Sequence, residues 1–73
     1  MEPNNAGNFR YLGITLGILA KITNEEMLFR KSIEKLDRAV QLMPDDAVTF
    51  HHLGTALGNL ARKKKMKRYS RKH

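Results

Sequence analysis

Three groups of residues in this chain carry side chains able to bind metal, transfer protons or attract anions. They are the pair His51-His52, the carboxylates Asp45-Asp46 beside Pro44, and the cations between Arg62 and Lys72. Two histidines suggest a metal, but adjacent helical residues point about 100° apart and cannot share one ion. No acid or further histidine stands four residues on from either. The paired aspartates follow a proline at a helix junction, where capping explains them. Ser32 and Ser70 have no base at a spacing that suggests an activated nucleophile. Gly13, Gly17, Gly54 and Gly58 fall inside apolar helical periods, so none belongs to a phosphate-cradling loop. The expectation is a protein that is no enzyme and uses no cofactor or metal.

The cation run is the group with positive content. Arg62, Lys63, Lys64, Lys65, Lys67, Arg68, Arg71 and Lys72 carry eight charges with no acid among them. Before Ala47 six cations meet seven acids, so the net charge of +7 belongs to the C-terminal end. Clustered cations bind phosphate backbones by releasing counterions, and such runs also act as nuclear-import signals. Tyr69 adds one aromatic ring able to stack on a base. A solvated basic tail is the simpler reading of the same residues.

The elements that would position these groups follow from apolar spacing. Phe9, Leu12, Leu16 and Leu19 recur at intervals of three and four, as do Phe50, Leu53, Leu57 and Leu60. Between these two segments, Met27, Phe29, Ile33, Leu36 and Val40 form another stripe, with Glu26–Arg30 and Glu34–Arg38 as supporting i,i+4 pairs. Thr23-Asn24-Glu25-Glu26 fits a capping box for this middle helix. Pro44 ends it, and Asp46 can cap the next. The spacing predicts helices over 8–22, 25–43 and 47–62.

The outer two helices are copies of each other. Residues 9–21 read FRYLGITLGILAK and residues 50–62 read FHHLGTALGNLAR, with seven identities in thirteen positions at a period of 41. Both copies keep two glycines four residues apart. Glycine inside a helix costs about 1 kcal/mol against alanine, which predicts another backbone close by at Gly13 and at Gly54. Gly54 is expected to pack on the middle helix.

With Phe9, Leu12, Gly13 and Leu16, then Ser32, Leu36, Ala39 and Pro44, then Phe50, Leu53, Gly54 and Leu57, the chain resembles the tetratricopeptide repeat. About one and a half units are present. The stretch from Gly13 to Pro44 is seven residues longer than the usual unit, nearer the related Sel1-like repeats. The resemblance implies a right-handed stack of an antiparallel hairpin and a third helix, which usually caps such arrays. It implies a groove for a protein or peptide partner, lined here by Arg10, Ile14, Gly17 and Ile18 and by Val48, His51, Thr55, Gly58 and Asn59. Arg10 stands where some members clamp a C-terminal carboxylate, but Ile14 stands where that clamp needs asparagine.

The division expected is an N-terminal arm over 1–7, an all-α three-helix module over 8–61 and a basic tail over 62–73. The first helix is apolar nearly all round, which predicts cover on two sides and hence a homo-oligomer. Without cysteine no disulfide or thiolate site supports the fold. The apolar stretch from Tyr11 to Ile22 is too short to span a bilayer and contains Lys21. No signal peptide opens the chain, so a cytoplasmic or nuclear protein is expected. The function expected is a protein-interaction module or assembly scaffold, with nucleic-acid or acidic-partner binding through the tail as the alternative.

Overall fold

The computed structural model describes the backbone of residues 5–70 and the side chains of residues 5–65. It is all-helical, with α1 spanning Ala6–Thr23, α2 Glu26–Leu42 and α3 Ala47–Ser70. α1 and α2 form an antiparallel hairpin. α3 packs on α2 along part of its length and hardly touches α1.

Each helix end has a local cause. Asn5 opens α1 by accepting the Gly7 amide at 2.7 Å, so the helix begins inside the arm expected over 1–7. Residues 1–4 lie outside the described residues. The capping box expected at Thr23 is not made. Thr23 is the last helical residue of α1 and donates its hydroxyl to the Leu19 carbonyl at 2.9 Å. Asn24 takes the left-handed conformation at φ 58° and returns its amide to the Ala20 carbonyl. Asparagine tolerates that conformation better than threonine, and this decides which residue makes the turn. Glu25 then precedes α2 without a side-chain cap. Of the two ion pairs expected on α2, Glu26–Arg30 forms at 2.9 Å, whereas Glu34 stands 3.9 Å from Lys35.

α3 runs past its expected end at residue 62 to Ser70. Lysine, arginine and methionine are good helix formers, no glycine or proline follows Gly58, and cations suit a helix C-terminus. The backbone from 62 to 70 is therefore helix.

The core is Leu36 and Phe29 set among small residues. Ala20, Phe29, Ser32, Leu36, Ala39, Thr49 and Ala56 are buried. Gly13 lies directly beneath Leu36: a Cβ there would come within 2.6 Å of the Leu36 Cγ. Ser32 donates its buried hydroxyl to the Gly13 carbonyl at 2.7 Å. A Cβ on Gly17 would meet the same hydroxyl at 3.0 Å. The glycines of α1 thus allow the close approach expected of them.

The matching expectation for α3 fails. A Cβ on Gly54 or Gly58 would meet nothing within 4 Å. α3 turns its other face, with Thr49 and Ala56, toward α2. The copied glycine face of α3 points to solvent.

Candidate functional site

The hairpin and α3 enclose a groove, because both α1 and α3 rest on α2 while hardly meeting each other. Its floor is Phe29, Ser32 and Leu36 of α2. One wall is Gly13, Ile14, Gly17, Ile18 and Lys21 of α1, and the other is His51, His52, Thr55, Ala56 and Asn59 of α3. The cavity is about 180 Å³. Pockets for small organic ligands span roughly 300–1,000 Å³, so this one suits a side chain or two of an extended segment.

The groove expected by resemblance is thus partly assembled. Ile14, Ile18, His51, Thr55 and Asn59 line it together, and so does Gly17. Gly58 does not, because it lies on the open face of α3. Val48 is exposed on the first turn of α3, outside the cavity. Arg10 is also outside it, held by this chain's own carboxylate. Its Nη1 donates to Asp46 Oδ2 at 2.9 Å, tying the start of α1 to the start of α3. The two histidines stand edge to face with ring centroids 5.5 Å apart. The expected lining left out Gly13, Lys21 and Ala56, the α2 floor of Phe29, Ser32 and Leu36, and also His52. Its angular position, 100° from His51, placed it toward α2.

One end of the groove is cationic. Lys21, Arg62 and Lys63 share a second cavity of about 180 Å³ with Asn24, Phe29 and Asn59. Lys21 and Arg62 are the repeat-equivalent basic residues, here brought to one place from two helices. The remaining cations divide. Lys64 and Lys65 are exposed. The side chains of Lys67 and Arg68, and all of Arg71 and Lys72, lie outside the described residues.

Asp46 is the electrostatic anchor at the other end. It accepts the Val48 amide at 3.1 Å as the cap of α3 and the Thr49 hydroxyl at 2.7 Å. The Thr49 hydroxyl above all favours the charged carboxylate; desolvation, the next-largest effect, opposes it, and with the Arg10 guanidinium and the Thr49 amide added the pKa lies below the ordinary 3.8. A carboxylate whose folded pKa is lowered stabilises the fold above the unfolded value. That contribution is lost as pH falls through the folded one. Helicity of the wild type is therefore expected to become less heat-resistant as pH drops below about 4. Asp46→Asn keeps a capping oxygen but loses the charge, so its midpoint should change less over the same range. Parallel midpoint-versus-pH traces from pH 5 to pH 2 would refute this role for Asp46.

Among the described residues no three His, Asp or Glu side chains gather as a metal site. No helix there is long and apolar enough to cross a membrane. No protein-family model, curated protein or solved structure matches this chain.

Proposed function

We propose that this chain is a protein-interaction module of the tetratricopeptide type, without catalytic activity, acting in the cytoplasm or nucleus. Its ligand is an extended acidic peptide lying between α1 and α3. The observation that carries this reading is the groove itself. It has an apolar wall at Ile14 and Ile18, hydrogen-bonding groups at Thr55 and Asn59, and Lys21, Arg62 and Lys63 at one end. Apolar contact holds the peptide, Asn59 can bond its backbone, and the cations choose acidic over basic sequence. Surface charge of this kind mainly sets partner choice and on-rate.

The reading is tested by titrating ¹⁵N-labelled protein with acidic and with lysine-rich peptides of about eight residues, a length set by extended-chain reach. The acidic set should move the amides of Gly17, Thr55 and Asn59, and the basic set should not. Lys21→Glu should weaken the acidic peptides several-fold. Shifts confined to other surfaces, or equal shifts with both sets, would overturn it.

A second reading rests on α3 beyond the groove, where exposed Lys64 and Lys65 extend from the body on a continuous helix. That end is a polyanion site, and binding of RNA or DNA there is the alternative function. Self-association belongs to the first reading, since Tyr11, Ile18 and Ile22 leave an apolar strip of α1 in solvent.

A further inference from the structure

The two copies of the repeat differ in what covers them. In α1 the residues Phe9, Gly13, Leu16, Gly17 and Ala20 form one face, at spacings of four, three, one and three. α2 lies on it, with Leu36 over Gly13, the Ser32 hydroxyl beside Gly17, and Ala20 at 0% exposure. In α3 the identical residues Phe50, Gly54, Leu57, Gly58 and Ala61 form the same face. Here Phe50 and Leu57 are each 48% exposed, Ala61 is exposed, and both glycines border open space.

An exposed face of this composition is unfavourable in the free chain. Each mid-helix glycine costs about 1 kcal/mol against alanine, and in α3 no close packing offsets it. The first copy shows what does offset it: a helix with a leucine over the first glycine and a small residue at the second. Charge narrows the choice. At 100° per residue, Lys64 lies close to the direction of Leu57, and Lys65 lies between those of Gly54 and Gly58. The stripe therefore ends in two exposed cations where α1 has the uncharged Thr23 and Asn24. In an antiparallel pairing like that of α1 and α2, these lysines stand beside the partner's first turn. Acidic residues there are also favoured by the partner's own helix dipole.

We propose that this face of α3 docks an amphipathic helix of another protein. The docked helix runs antiparallel to α3, has an acidic first turn, and carries a small–x3–leucine–x2–small stripe. The docking is separate from the peptide groove, which lies on the opposite side of α3 and has its own residues.

A probe with these features is a synthetic peptide of residues 24–43, the α2 sequence itself. It begins Asn24-Glu25-Glu26 and carries Ser32, Leu36 and Ala39. Added to ¹⁵N-labelled full-length protein, it should move the amides of Gly54, Gly58 and Ala61. Gly54→Leu fills the seat of the partner leucine and should weaken binding at least ten-fold. The variant keeps its fold, shown by unmoved Gly13 and Ser32 signals. Replacing both glutamates of the peptide with lysine should weaken it several-fold. Equal binding by Gly54→Leu, shifts at Gly13 that mark exchange into the hairpin, or no binding would overturn the proposal. So would a dimer of the full chain, in sedimentation, that Gly54→Leu dissolves, because a second copy would then be the occupant.

Discussion

Gly13→Ala is expected to destabilise the fold, while Gly54→Ala, the same change in the same local sequence, is expected to stabilise it. The added methyl at 13 would sit 2.6 and 2.8 Å from the Leu36 side chain and 3.2 Å from the Leu36 amide nitrogen. Leu36 is 1% exposed and cannot swing aside, so the hairpin must open slightly. Overpacking of this kind costs about 1–3 kcal/mol, and alanine's better helix propensity offsets up to about 1 of it. At Gly54 the methyl meets nothing within 4 Å, which leaves the propensity gain of about 0.5–1 kcal/mol. In a domain this small, 1 kcal/mol moves the thermal midpoint by about 4–8 °C. The two variants should therefore melt on opposite sides of the wild type. A fall for both would mean that the α3 face is already covered in solution. A rise for both would mean that α1 and α2 do not pack as described.

That pair of glycines also marks the limit of what the sequence makes legible. The helices follow from apolar spacing, and so does the burial of Phe29 and Leu36. The stripe residues Leu12, Leu19 and Met27 are exposed instead, because the small residues Gly13, Ala20, Ser32 and Ala39 take the close contact. Gly13 and Gly54 have nearly the same neighbours in the chain, yet one is sealed and the other open. What separates them is whether an α2-like helix follows, a fact no thirteen-residue window contains. Ile14, Ile18, His51, Thr55 and Asn59, which line one cavity, came from the repeat resemblance and not from spacing. Arg10 and Lys21 were harder, because their roles depend on where α3 crosses. Arg10 meets Asp46, 36 positions later, and Lys21 joins Arg62 and Lys63. The end of α3 was misjudged for another reason: a change in charge stops neither propensity nor hydrogen bonding, and only glycine, proline or a cap does. At Thr23 the capping-box pattern was present, but a better left-handed residue stood next to it.

The extended α3 leads to the last expected result, which separates the two functional readings. Arg62 and Lys63 face the groove end, whereas Lys67, Arg68, Arg71 and Lys72 come after its last lining residue. Deleting residues 66–73 removes four of the eight C-terminal cations and leaves the groove intact. If the basic end binds nucleic acid, the full chain should bind duplex DNA with a log–log salt slope of about −0.9 for each phosphate neutralised. About four such contacts would cut affinity roughly 150-fold between 50 and 200 mM salt. Sequence preference should be slight, since phosphate contacts position a protein without reading bases. The deletion should then weaken DNA and RNA binding by more than ten-fold at low salt and flatten the slope. Acidic-peptide binding should be almost unchanged, as should the helicity of residues 5–65. Anisotropy titrations of both proteins with labelled duplex, single-stranded RNA and acidic peptide, each at two salt concentrations, supply every one of these quantities. Full-length protein that ignores both nucleic acids at 50 mM salt would eliminate the polyanion reading. A deletion that abolishes peptide binding would eliminate the groove as the peptide's seat, because every residue lining it is still present.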